Sequence, residues 1–145
     1  MIDFSSSIRT AIITDPLASD ISNFSGSKAV FTRRPAPTGA IYPMVFIGPQ
    51  VPGTQDDYVN GKLRRTVIYD ILTYGKNDEA TNYRLVEKIA FAIAKKFARP
   101  SPFVLSVPSG YSIVSIVGTT AMPAPTDDLQ IVGRMSQLNI TIEEL

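Results

Sequence analysis

The sequence predicts an α+β fold, in which a mostly antiparallel sheet of about five strands carries an N-terminal helix and one long helix mainly on one face. Several segments alternate apolar and polar residues with the period of a strand, and one long segment is amphipathic with the period of a helix. The elements follow the order α-β-β-β-α-β-β. The 145 residues are expected to form a single domain, 1–145, because a chain of this length buries a core without disulfides.

The N-terminal helix is predicted over residues 2–21. Apolar residues recur there at helical spacing, the serine cluster at 5–7 is expected to cap its start, and Asp15-Pro16 interrupts it. The simplest interpretation is a helix that covers one face of the sheet.

The first three strands are predicted over residues 28–33, 41–48 and 64–74. Pro43 has no backbone N–H to donate, so it indicates either an edge strand or the beginning of a strand. The segment 64–74 carries apolar residues on both faces. We therefore expect a central strand that is covered by a helix on one side and by a neighbouring segment on the other.

The best-defined element is a helix over residues 78–97. Asn77 or Asp78 can cap it, Lys95 lies where the helix dipole favours positive charge, and Pro100 ends it. Its apolar stripe consists of Leu85, Val86, Ile89, Ala92, Ile93 and Phe97.

Two closing strands are predicted over residues 111–120 and 129–143. The apolar phase of the last strand shifts between Met135 and Leu138, which indicates a β-bulge or a bend there.

The segment 49–62 is predicted to be a projecting arm. Structureless connections longer than about 12–15 residues are uncommon in compact domains and are usually functional. Asn60-Gly61 near its end is a strong hairpin signal, because both residues tolerate positive φ. A domain with extended loops and exposed strand edges is suited to binding through arms and edges.

The composition argues against an enzyme and predicts neither a metal nor a cofactor. Histidine and cysteine are absent, which removes the commonest general base and the commonest soft metal ligands. The pairs Asp56-Asp57 and Asp127-Asp128 lack the spacing of a calcium loop. A net charge of +1 gives no support to a dedicated nucleic-acid binder, and neither a membrane span nor a signal peptide is expected.

The candidate site is therefore a subunit or partner interface. Two arginine doublets could meet if their strands pair and could then bind phosphate or a carboxylate-rich partner, although solvated strand ends are the simpler interpretation. Alternatively, the second doublet and the aspartate pair form a charged contact between identical subunits. The candidate residues are Arg33, Arg34, Gln55, Asp56, Asp57, Tyr58, Arg64 and Arg65.

Over nearly its full length the chain resembles the small tail-terminator (tail-completion) family of tailed bacteriophages. The resemblance lies in the order and spacing of segments, each of which is weak alone. The matching segments are Asp15-Pro16, the loop 33–37 (RRPAP), the strand start 42–46 (YPMVF), the alternating strand 67–74 (VIYDILTY), the helix start 77–81 and the last strand 138–142 (LNITI).

The resemblance implies a subunit of a ring, typically of about six copies, that caps the tail tube, stops its polymerisation and offers a docking surface to the head connector. Its expected partners are other copies of itself, the tail tube protein and the head-completion or connector protein, and DNA passes through the lumen without being read. The expected location is the tail-neck region of a virion assembled in the host cytoplasm. The family carries no catalytic residues.

Three alternatives stay open at this point. A head-closure or adaptor subunit and a tail tube subunit belong to the same structural class. A small nucleic-acid-binding module belongs to another, and it would rest on the arginine doublets together with Tyr42, Tyr58 and Tyr69.

Overall fold

A computed structural model describes residues 3–14, 19–33, 35–51, 55–76, 83–98, 105–123 and 130–145. Within these ranges the chain forms two helices, α1 (Ser5–Ile13) and α2 (Tyr83–Phe97). The strands are β1 (Asn23–Phe24), β2 (Ser27–Lys28), β3 (Val30–Phe31), β4 (Met44–Gln50), β5 (Gln55–Val59), β6 (Lys62–Lys76), β7 (Tyr111–Pro123) and β8 (Ile131–Glu144). Neither helix is long and apolar enough to cross a membrane.

The main sheet has the strand order β3-β4-β6-β8-β7, and β5 pairs with the part of β6 that β4 leaves free. Every pairing in it is antiparallel except that of β3 with β4. β1 and β2 form a separate two-stranded ribbon. The α+β class and the mostly antiparallel sheet are confirmed, and the extra strands are the short β1, β2 and β5.

Both helices lie on the same face of the sheet. The Tyr69 hydroxyl in β6 accepts a hydrogen bond from the Phe4 backbone N–H at the start of α1, and the Ser136 hydroxyl in β8 donates to the Ala90 carbonyl in α2. Ser136 lies directly opposite Ile71, two residues along β6 from Tyr69. Directly opposed residues share a face, so the predicted one-sided helix layer is confirmed.

The core lies between this helix layer and the sheet. Four residues of the stripe predicted for the long helix are buried, namely Val86, Ile89, Ile93 and Phe97, whereas Leu85 and Ala92 are partly exposed. Gly118 in β7 shows how closely the layers approach, because a Cβ at this position would lie 2.9 Å from the Ala94 carbonyl oxygen. Such a contact is too short for any side chain, and it explains the glycine.

On the opposite face of the sheet, the described residues form an aromatic cluster beside β3 and β4. There the rings of Phe24, Phe31, Phe46 and Tyr74 form a row, with successive centroids 5.5, 5.6 and 5.9 Å apart. This row explains why the predicted central strand carries apolar residues on both faces. β6 is indeed central, with β4 and β5 on one side and β8 on the other.

α1 is shorter than the helix predicted over residues 2–21, and a serine does not cap it. The Asp3 carboxylate accepts the Ser5 backbone N–H at 2.9 Å and the Ser5 hydroxyl at 2.7 Å. Carboxylates are good acceptors for the free N–H groups of a first turn. Ser7 instead accepts the Ser106 backbone N–H. Asp15-Pro16 lies outside the described residues.

The start of the predicted long helix, residues 77–82, also lies outside the described residues, as does Pro100. The C-terminal charge prediction is confirmed, since Lys95 and Lys96 lie in the last turn of α2.

The β-bulge predicted in the last strand is wrong. β8 keeps a continuous register with β6 from Ile131 to Glu143, and the register shifts lie in β7 instead. Arg134 and Ser136 are buried polar residues on the inward face of β8, so the apolar pattern changes there while the alternation of the strand does not.

Pro43 precedes β4 and follows Tyr42 through a cis peptide bond. It therefore marks the beginning of a strand, one of the two positions that its missing N–H allows. β4 is an interior strand for the two residues that pair with β3.

Candidate assembly surfaces

The predicted arm is a β-hairpin that extends the sheet. The hairpin arm, defined here as residues 55–66, consists of β5, the turn at Asn60-Gly61 and the start of β6. Asn60 and Gly61 have φ values of 55° and 77°, the left-handed conformation that a two-residue hairpin turn requires. The hairpin signal is thus confirmed, whereas the expectation of a structureless segment is wrong for residues 55–59.

The acidic and basic doublets of the arm oppose each other within one chain. Asp56 lies opposite Arg65 and Asp57 opposite Arg64 in the β5–β6 register. Arg64 also forms an ion pair with Glu143 of β8, with 2.8 Å between Nη2 and Oε2. The sequence suggested that these charges meet between subunits, but the register already gives each doublet an opposite charge nearby in its own sheet.

The exposed residues of β5 in the described part of the arm are Asp57 and Tyr58, and the turn residues Asn60 and Gly61 and the following Lys62 are exposed as well. Tyr58 is 72% exposed, and its backbone N–H is held by the Asp57 carboxylate at 2.7 Å. Gln55 and Asp56 are placed in β5 by their backbone pairing alone. The arm thus offers a partner an aromatic side chain beside an open strand edge.

Arg33 of the first arginine doublet lies apart from Arg64 of the second. Arg33 follows β3 and lines a groove of about 550 Å³ whose other walls include Asp3, Gln50 and Tyr69. Gln50 pairs with Tyr69 of β6. Arg64 comes five residues before Tyr69 in the same strand, which separates the two residues by roughly 16 Å at the rise of a strand. Arg34 lies outside the described residues, so the phosphate site proposed for two converging doublets has no support from Arg33.

The groove beside Arg33 is lined by residues of a hydrogen-bond network that the sequence does not predict. The buried Tyr69 hydroxyl accepts from the Phe4 N–H at 2.9 Å and from Gln50 Nε2 at 3.1 Å, and it donates to Asp3 Oδ1 at 3.1 Å. Burial raises the pKa of Tyr69. The hydrogen bonds from Ser5 lower the pKa of the Asp3 carboxyl.

This network holds the start of α1 against the sheet and does not resemble a catalytic site. A phenol with a raised pKa is a poor base, and an Asp3 carboxyl with a lowered pKa is a poor acid. Tyr69 is 1% exposed, so it cannot stack on a nucleic-acid base as the alternative function required. No periodicity in the sequence could identify the partners of its hydroxyl, because they lie 65 and 66 residues away.

The face of the sheet opposite the helices is polar at its β6–β8 centre. Thr66 and Thr141 hydroxyls lie 3.1 Å apart, and Gln137 Nε2 donates to Asp70 Oδ1 at 3.0 Å. Between these pairs, the buried Asn139 Oδ1 has no hydrogen-bond partner in the described part of the chain. These side chains form a polar ladder with no nucleophile activated by a base.

No group of three or more acidic side chains is arranged to hold a metal ion among the residues that the structure describes. Asp127-Asp128 lies outside them.

Comparison with known proteins shows a similarity of fold. No family model matches the sequence, and no curated protein matches it. Among solved structures, the chain is similar to a chain of the virion of a native gene transfer agent particle, with a TM-score of 0.72. The similarity covers 96% of this chain and 93% of the other at 16% sequence identity. At this identity the comparison establishes a shared fold and nothing further.

Proposed function

We propose that this protein is a structural virion protein that forms a ring on the tip of a phage tail tube. The ring ends tube polymerisation and offers a docking surface to the head connector, with DNA passing through its lumen. The observation that carries the proposal is the fold shared over 96% of the chain with a chain from a gene transfer agent virion. The order of sequence segments resembling tail terminators supports the same conclusion independently.

The candidate surfaces are consistent with assembly and give little support to turnover. A ring needs two different contact surfaces on each subunit, because every copy must meet one neighbour on either side. Among the described strands, β5 and β7 each have one side unpaired, as does the two-residue β3. The candidate interface residues Asp57, Tyr58 and Arg64 belong to the first of these regions, while Arg33 lies apart from them.

The decisive experiment examines both the particle and the purified protein. We expect the protein to be found in purified virions at the neck, by mass spectrometry and antibody labelling, in about six copies per tail. Phages that lack it should produce tails of uncontrolled length that do not join to heads. Absence of the protein from virions would overturn the proposal.

Negative-stain imaging and light scattering separate the proposal from its alternatives. A terminator forms closed rings and stops, whereas a tube subunit continues into long cylinders. A head-closure subunit would leave tail length normal in its absence. Salt-dependent binding of DNA by a monomer would instead favour the nucleic-acid-binding module.

A further inference from the structure

Among the described residues, the outer edge of β7 carries no charge and no interior proline, and its stretch Ser115–Thr119 runs between two register shifts. β7 is the last strand of the sheet, and among the described strands it pairs only with β8. Its 13 residues include no charged side chain, and its one proline is the terminal Pro123. Soluble proteins normally blunt such an edge with charge, proline or a very short strand. Val114 and Val117 are also 41% and 53% exposed.

A second open edge lies on the opposite side of the same end of the sheet. Asp57 of β5 lies opposite Arg64 of β6, Arg64 opposite Glu143 of β8, and Glu143 opposite Ser112 of β7. Along this row the order is therefore β5-β6-β8-β7. β5 has no strand on its outer side among the described residues.

We propose that the β5 edge of one copy pairs with the β7 edge of the next copy, and that this contact closes the ring. The inference rests on the proposed function and names the interface that it requires. Backbone N–H and C=O groups of the two edges supply the hydrogen bonds, as in other cases of strand addition. Because the two edges differ, each contact leaves one edge of each kind open, so pairing continues until a ring closes.

The two edges match in length and chemistry. β5 has five residues, and the stretch of β7 between its two register shifts is also five residues, from Ser115 to Thr119. Asp57 lies opposite Arg64 of its own sheet, which offsets its negative charge. Pairing of β5 with the uncharged β7 of the next copy therefore brings little uncompensated charge to that strand. Asp57 lies on the face opposite the helices, as do Ser115, Val117 and Thr119, so Asp57 would lie beside these small or β-branched residues in a continuous sheet.

Disulfide trapping tests this contact directly, because the natural chain has no cysteine. One set of single variants places cysteine on the arm (Asp57→Cys or Tyr58→Cys), and the other places it on the edge (Ser115→Cys, Val117→Cys or Thr119→Cys). When an arm variant is mixed with an edge variant under mild oxidation, we expect a cross-linked dimer for at least one pair. Neighbouring strands bring such residues within the Cβ separation that a disulfide needs.

The matched control uses Phe91→Cys, since Phe91 is 60% exposed on α2 and belongs to neither edge strand. It should not cross-link to the arm variants. Cross-linking of edge variants to one another without arm–edge products would overturn the inference in favour of a two-fold β7–β7 dimer. Absence of arm–edge products, in rings or in monomers, would also overturn it.

A charge variant provides the functional test. Val117→Lys with Thr119→Lys should weaken ring formation at least about tenfold, measured as the concentration at which half the protein is assembled, because lysine on an edge opposes strand pairing. Ser112→Lys, outside the five-residue stretch, is the control and should assemble normally. Rings that form normally with both lysines would refute the edge contact, while virion association of the wild type reports separately on the proposed function.

Discussion

At the scale of single residues, Tyr69 carries the most structural information. Its hydroxyl joins the start of α1, the end of β4 and the centre of the sheet through three hydrogen bonds. The alternating pattern of β6 correctly predicts that Tyr69 shares a face with Val67 and Ile71. That pattern cannot name a hydrogen-bond partner, since partners distant in sequence are set by how the elements pack.

Tyr69→Phe tests this network. The substitution leaves the Phe4 N–H buried without its acceptor, so we expect the free energy of unfolding to fall by about 1–3 kcal/mol. Urea denaturation followed by circular dichroism measures it. Tyr58→Phe is the control, since its ring is 72% exposed, and it should change stability by less than about 0.5 kcal/mol. Equal stability of both variants would show that the hydroxyl does not hold the N-terminus.

At the scale of elements, local chemistry was predictable and register was not. The Asn60-Gly61 turn and the apolar stripe of α2 follow from residue preferences over short distances. The bulge was placed in the wrong strand because Arg134 and Ser136 occupy inward positions of β8, where the sequence pattern expects apolar groups. Burial of Arg134 depends on its ion pair with Glu87 of α2, 47 residues away.

Gly118→Ala tests the close approach of α2 to β7. The new methyl group would meet the Ala94 carbonyl oxygen, which belongs to a helix backbone and cannot move alone. We expect a loss of about 1–3 kcal/mol in the free energy of unfolding, the usual cost of overpacking. The neighbouring Thr119→Ala, at an exposed position, should cost less than about 0.5 kcal/mol. A Gly118→Ala variant with unchanged stability would mean that α2 packs further from the sheet.

At the scale of the whole molecule, the sequence predicted which segments are strands but not how they are ordered in the sheet. The order β3-β4-β6-β8-β7 depends on pairings between segments distant in sequence, such as Val67 with Ile140. The length of the arm and its turn residues predict a projecting segment. They do not predict that part of it adds a strand to the sheet, because this requires β6 to extend beyond the end of β4. The candidate residues of the arm lie on the paired strands β5 and β6, whereas Arg33 lies beside the groove at Tyr69.

Native-state hydrogen exchange tests this arrangement. We expect the slowest amides in the β6–β8 centre, around Val67 and Ile140, and the fastest in β5, because an edge strand opens at lower free energy than a central one. Assembly into rings should then slow the amides of β5 and β7 together. Slowing of α2 alone would place the subunit contact on the helix layer.

The uncharged outer edge of β7 also has a consequence for the expression of the protein. A copy that has not yet met its neighbours displays a strand edge to every other chain in the cell, including unfolded ones. Aggregation through this edge should therefore increase with the concentration of free protein. Slow expression should yield more soluble, folded protein than rapid overproduction.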